Sequence, residues 1–226
     1  DLKNNLDTHI YLKYPIISSP MDTVTGAEMA SSICKLGGLG VIHRYNSIEE
    51  QCEMVMNAKK NGAKIVAAAV GIAGDYLERA QQLVLCGTNI VCVDVAHGHH
   101  INMKKALSKL KEKITTTHIM AGNVATAEGY TDLSNWGADS VKVGIGNGSI
   151  CSTRINTGHG IPSVTAIMDC SRVSKTLLHP AKIIADGGIK NSGDIVKALA
   201  VGADFVMLGS LLAGTKESPG ALINTT

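Results

Sequence analysis

Short apolar runs recur along the chain at positions 15–19, 40–43, 64–70, 90–95, 118–121, 140–143, 182–185 and 205–208. Between them, at 26–36, 48–60, 76–85, 103–110, 125–136, 164–177 and 192–200, apolar residues return every three to four positions. That period marks helices laid against a sheet. Runs that are apolar at nearly every residue, rather than every second one, belong to parallel strands buried on both faces. Eight such strands alternating with helices in 226 residues predict an α/β fold, a closed (β/α)8 TIM barrel forming a single domain. An open doubly wound sheet is the alternative. Gly137-Ala138-Asp139 and Gly202-Ala203-Asp204 each follow a predicted helix and lead into a predicted strand, an echo that fits repeated β/α units.

A barrel gathers residues that are scattered in sequence. Ser19-Pro20-Met21-Asp22, Asp94, Gly122-Asn123, the loop 144–151, Asp186-Gly187-Gly188 and Gly209-Ser210 all follow carboxyl ends of predicted strands. In a barrel those ends share one face, where active sites are built.

The densest chemistry lies in Lys142-Val143-Gly144-Ile145-Gly146-Asn147-Gly148-Ser149-Ile150-Cys151-Ser152-Thr153-Arg154. Alternate glycines let a backbone bring its N–H and C=O groups close to a ligand. A cysteine in that polar setting, rather than in an apolar run, is a candidate nucleophile. The plainer reading is a glycine-rich loop with an incidental cysteine. After the seventh and eighth strands, Asp186-Gly187-Gly188-Ile189 and Leu208-Gly209-Ser210 expose backbone N–H groups near helix starts, a device suited to phosphate. The plainer reading of these glycines is tight turns. Ser149 and Ser210 would add hydroxyl donors, and Asp186 suits a pair of sugar hydroxyls as an acceptor.

Composition narrows the classes. A net charge of +2 leaves no broad basic face, and 3% aromatic residues argue against stacking platforms, so nucleic acid is not an expected partner. No apolar run approaches the roughly 20 residues of a membrane span, and the first fourteen positions lack the apolar core of a signal peptide. Of the six cysteines, Cys34, Cys52, Cys86, Cys92, Cys151 and Cys170, no two have Cys-x-x-Cys spacing. Four lie in apolar patterns, where cysteine acts as a small hydrophobe. A reducing cytoplasm is the expected compartment. His97, His99 and His100 form the one histidine cluster; a polar loop touching a ligand is expected there rather than a metal.

Several stretches together resemble the catalytic barrel of the IMP dehydrogenase and GMP reductase family. They are Ser18-Ser19-Pro20-Met21-Asp22-Thr23-Val24-Thr25, Gly37-Gly38-Leu39-Gly40-Val41-Ile42-His43-Arg44, Ala121-Gly122-Asn123-Val124, the glycine loop, and Ile184-Ala185-Asp186-Gly187-Gly188-Ile189. The resemblance implies that Cys151 attacks the purine C2 of a nucleoside monophosphate and that Thr153 lies near the reacting water or ammonia. It implies that Ser19, Met21, Asn123, Ser149, Ile150, Asp186, Gly188, Gly209 and Ser210 line the nucleotide pocket. Asp94, Ala96, His97 and Gly144 would meet a nicotinamide cofactor, NAD or, in a reductase, NADPH. The carbonyls of Gly146, Gly148 and Cys151 resemble a potassium site. The family also implies a homotetramer.

Dehydrogenase is favoured by Pro20-Met21-Asp22-Thr23-Val24-Thr25, by the run 37–44, and by Lys190-Asn191-Ser192-Gly193-Asp194 and the stretch 208–214. Reductase is favoured by Asp94-Val95-Ala96, Asn156-Thr157-Gly158 and Ala203-Asp204-Phe205-Val206. The reading taken is dehydrogenase, with reductase and a catalytically silent nucleotide-binding barrel as alternatives. Positions 57–63 run directly into the third strand, so no inserted CBS pair is expected. The mobile flap is expected beyond Thr226, and a chain without it should bind nucleotide with little turnover. Asn147, where proline is common, Ser152, where threonine is common, Ser163, where glutamine is common, and His159, where a small apolar residue is common, depart from the family pattern and put the loop's rigidity in question.

Overall fold

A computed structural model describes residues 2 and 4–220; the expectation about the chain's last six residues lies outside them. A two-stranded antiparallel hairpin, β1 (Asn4–Asn5) and β2 (Tyr11–Leu12), comes first. Eight parallel strands follow: β3 (Ile16–Ser18), β4 (Leu39–Ile42), β5 (Ala67–Val70), β6 (Ile90–Asp94), β7 (His118–Val124), β8 (Ser140–Val143), β9 (Lys182–Asp186) and β10 (Phe205–Leu208). β10 pairs with β3 as well as with β9, so the sheet closes. The expected TIM barrel is the observed fold, and the open sheet is excluded by that closure.

The helices are α1 (Ala27–Leu36), α2 (Ile48–Lys60), α3 (Tyr76–Leu85), α4 (Ile101–Lys113), α5 (Ala127–Asn135), α6 (Thr153–Thr157), α7 (Ser163–Ser174) and α8 (Ser192–Ala200). Local chemistry sets several starts. Ser47 and Glu50 form a reciprocal capping box on α2, and Thr126 and Asn191 accept N–H groups at the starts of α5 and α8. α4 begins two residues earlier than its apolar spacing implies, because His100 Nδ1 accepts the Asn102 N–H at 3.1 Å.

Strand residues divide by parity. Val91, Val93, Ile119, Ala121, Val141, Val143, Ile183 and Ala185 face the helices. Ile17, Leu39, Val41, Ala67, Ala69, Ile90, Cys92, Met120, Ile184, Phe205 and Met207 fill the barrel interior. Leu6, Ile10 and Leu12 of the hairpin join that interior cluster and stopper its amino-terminal end. The hairpin carried no periodic signal, being too short for one. It is tied down by Asp7, whose Oδ2 lies 2.7 Å from His118 Nδ1, while His118 Nε2 lies 2.8 Å from Ser140 Oγ.

The Gly-Ala-Asp echo has a physical role. Asp139 accepts the Ile119 N–H at 2.7 Å and pairs with Lys111; Asp204 accepts the Ile183 N–H at 2.8 Å and pairs with Lys182. Gly87-Thr88-Asn89 is a third instance, with Asn89 Oδ1 accepting from Val66 N and Lys59 Nζ. Each side chain closes the first hydrogen bond of the preceding strand, a donor that would otherwise be buried unpaired.

One boundary differs from expectation in a way that shapes the site. β7 continues to Val124 instead of ending at Ala121, with a register irregularity between Gly122 and Val124. Gly122 and Asn123 therefore belong to the strand and do not follow it.

Candidate active site

Asp94 and Asp186 are the last residues of β6 and β9, and Lys142 lies on β8 between them. All three side chains point inward at the carboxyl end of the barrel. Asp94, Gly122 and Lys142 are in register across β6, β7 and β8. Lys142 reaches over β7 because Gly122 has no side chain; a Cβ there would lie 2.6 Å from the Lys142 Cβ. Its Nζ donates to Asp94 and, at 3.3 Å, to Asp186 Oδ2. Burial works against the Lys142 charge, but the two carboxylates override it and raise its pKa, so the amine stays protonated. Asn123 Nδ2 donates to Asp186 Oδ2 and to the Gly144 carbonyl, both at 2.8 Å. Each aspartate thus keeps one carboxylate oxygen without a protein donor among the described residues.

Cys151 stands just before α6, half-buried, its N–H donating to the Gly148 carbonyl at 3.1 Å. The Thr153 hydroxyl is the main influence holding its thiol below the usual range; partial burial opposes, and the N–H groups of Thr153, Gly146 and Arg154 assist. Burial pushes Cys92 and Cys170 up to about 12, and Cys52 likewise, with Cys86 adding to it. The thiolate is the nucleophilic form, so Cys151 is the sulfur among these that is set up to react. All six cysteines are free thiols.

At the carboxyl end of the barrel the structure forms two groups of expected site residues. Ser19, Met21 and Gly209 meet at the β3–β10 seam: a Cβ on Gly209 would lie 3.1 Å from Met21 Sδ and 3.8 Å from Ser19 Cβ. Asn123, Asp186, Gly188 and Gly144 meet across β7, β8 and β9, with a Gly188 Cβ position 3.2 Å from the Asn147 carbonyl. Ser149, Ile150 and Ser210 are exposed, and neither serine makes a side-chain hydrogen bond among the described residues. A cavity of about 540 Å³ is lined by Ala96, His97, His99, Thr126, Ile145, Thr153 and His159, among others; Thr153 links it to Cys151, while Asp94 and Gly144 are not among its lining residues. His97 and His99 therefore border a pocket, whereas His100 caps α4.

Lys142 and Asn147 belong to this site, although neither is among the site residues the sequence points to. The signal for Lys142 was a lysine inside an apolar strand run, which burial permits only beside a counter-charge. For Asn147 it was an amide set among glycines.

A closed parallel barrel with an activated thiol on a glycine loop, and paired carboxylates at strand ends, defines a barrel protein with a cysteine centre at its carboxyl mouth. The chain belongs to the IMP dehydrogenase / GMP reductase domain family, which matches it over residues 1–226. It is 41% identical over 261 aligned positions to inosine-5'-monophosphate dehydrogenase of Cryptosporidium parvum, covering 97% of this chain and 64% of that protein. The same-named protein of Borreliella burgdorferi is 40% identical, with coverages of 96% and 66%. That of Staphylococcus aureus is 50% identical over 190 positions, with coverages of 84% and 38%. The chain thus spans less than two thirds of the length of these relatives.

Proposed function

We propose that this barrel is the catalytic domain of an IMP dehydrogenase, converting IMP, NAD and water to XMP, NADH and a proton. The observation that carries the reading is the placement of Cys151 beside the Thr153 hydroxyl in the glycine loop that is hydrogen-bonded to the turn of Asp186 and Gly187 at the barrel mouth. The relatives named above, each called an IMP dehydrogenase, support it.

Cys151 attacks C2 of the bound purine and makes that carbon tetrahedral, so that it expels hydride; water then replaces sulfur and returns the thiol. Splitting one hard step into two is the gain of covalent catalysis. Thr153 lowers the thiol and orients the reacting water. Asp186 accepts from the ribose hydroxyls through its free oxygen, while Gly188, Gly209, Ser149 and Ser210 hold the phosphate with N–H and hydroxyl donors. Ser19, Met21, Asn123 and Ile150 border the base.

NAD, when bound, accepts the hydride. The cavity of about 540 Å³ lined by Ala96, His97 and Thr153 suits a nicotinamide riboside; Asp94 and Gly144, at the ends of β6 and β8, do not line it and would meet the cofactor from outside it. Carbonyls of Gly146, Gly148 and Cys151 would hold potassium, a weakly hydrated ion suited to backbone oxygens. The Gly148 oxygen already accepts one N–H and keeps its second lone pair. A homotetramer is the assembly this reading implies.

Incubation with IMP and NAD should produce NADH absorbance that disappears in Cys151→Ser. Turnover only of GMP with NADPH would assign the reductase instead. Nucleotide binding without turnover in either mixture, in the complete protein, would assign a silent barrel. Omitting potassium tests the cation site.

A further inference from the structure

Past the last ladder pair of β8 and β9, Val143 with Ala185, no backbone hydrogen bond among the described residues joins the loop 144–151 to the turn 186–188. Two side chains do: Asn123 bridges the Gly144 carbonyl and Asp186 at the base of the loop, and Asn147 does so from within the loop itself. Asn147 Nδ2 donates to Ser163 Oγ at 2.7 Å, to the Asp186 carbonyl at 3.1 Å and to the Gly187 carbonyl at 3.3 Å. Three acceptors around one nitrogen fix which way the amide faces. The space it fills exists because two neighbours are glycine. A Cβ on Gly144 would come within 2.9 Å of Asn147 Nδ2, and one on Gly187 within 2.9 Å of Oδ1. Ser163 is the first residue of α7, so a single amide ties the nucleophile loop, the turn after β9 and an outer helix.

We propose that Asn147 is a positioning residue for Cys151: with Ser163 it forms a side-chain clasp that holds the nucleophile loop against the turn following β9. This deepens the reading of Cys151 as the nucleophile and rests on it. Asn147 lies between Gly146, whose N–H faces the sulfur, and Gly148, whose carbonyl accepts the Cys151 N–H at 3.1 Å. Releasing the clasp releases both groups, and with them the donor geometry around the sulfur. The two residues that depart from the family pattern at these positions are therefore partners, and together they rigidify the loop from outside its backbone.

The test is alkylation of the full chain by iodoacetamide from neutral to alkaline pH, without nucleotide, read on the Cys151 peptide by mass spectrometry. Asn147→Ala should slow modification at neutral pH roughly five-fold, the loss of about one hydrogen bond to the sulfur, and move the profile to higher pH. Ser163→Ala should shift it in the same direction, and Ser163→Thr, which keeps the hydroxyl, should restore it. The double variant should be no slower than Asn147→Ala alone. An unchanged profile in either folded alanine variant overturns the clasp, and if Asn147→Ala does not fold, Ser163→Ala decides alone. No turnover is needed, so failure of the dehydrogenase assay and failure of the clasp are read separately.

Discussion

Lys142 and Asp186 face each other at 3.3 Å inside the mouth of the barrel, with the lysine side chain only 2% exposed. A cation so buried is tolerable only because Asp186 and Asp94 share it. The two carboxylates in turn are held in place by it, one at the proposed nucleotide subsite and one at the cofactor subsite. The packing of one amine thus fixes both halves of the site.

Removing that amine leaves two carboxylates without their counter-charge. Lys142→Met is expected to lower unfolding free energy by about 3 kcal/mol, the scale for breaking a buried pair by deleting one partner. Gly122→Ala should also destabilise, by about 1–3 kcal/mol, because the new methyl meets the lysine stem. Urea titration checks both, and wild-type stability in either variant contradicts the account of this network.

The hydroxyl of Thr153 is the main influence holding the Cys151 thiol down. Thr153→Val should slow alkylation of Cys151 at neutral pH roughly ten-fold, the value of one hydrogen bond to a charged group. The buried thiols of Cys52, Cys92 and Cys170 should remain unreactive in the folded protein. Faster labelling of any of these than of Cys151 would contradict the assignment.

In the proposed nucleotide site the free carboxylate oxygen of Asp186 would accept from ligand hydroxyls. Asp186→Ala is expected to weaken IMP binding by about 1.5–3 kcal/mol, measured by calorimetry. Because the same change removes a partner of Lys142 and Asn123, Asp186→Asn provides the comparison: it keeps the shape and loses the charge. Equal IMP affinity in all three proteins would remove Asp186 from the nucleotide site.

His118 anchors the hairpin stopper through Asp7 and is buried. Burial lowers its pKa below 6.5; Asp139 and Asp7 oppose this and Lys111 adds to it. A histidine depressed in the folded state binds its proton more readily when unfolded, so stability falls as pH drops through and below about 6.5. Asp7, whose own pKa is lowered, loses its contribution only at more acid pH, as pH falls below 3.8. The melting temperature should therefore decline from pH 7.5 to pH 5.5, and His118→Gln should decline less. Parallel curves for the two proteins would show that His118 does not titrate with unfolding.

The strand and helix order was legible in the sequence because each periodic run reports burial locally. Parallel strands covered on both faces leave apolar runs, and helices leave a stripe every three to four residues. Boundaries of α2, α3, α8, β8 and β10 follow from that signal alone, as does the clustering of Asp94, Asp186 and the glycine loop once the barrel is closed. The hairpin of β1 and β2 was not legible, since two-residue strands carry no period and owe their form to the barrel end they fill. Nor was the extension of β7 through Gly122, which rests on ladder pairing with Asp94 and Lys142 on the two neighbouring strands.

The sequence by itself determined the barrel, which rests on local periodicity, and marked Cys151 in its glycine loop as the candidate nucleophile. Only the tertiary structure decided that Lys142 joins Asp94 to Asp186 and that Asn147 meets Ser163. Those partners lie 48, 44 and 16 residues apart in the chain. Pairings at such separations have no local signature; they are fixed by barrel register and by the space that glycines leave open.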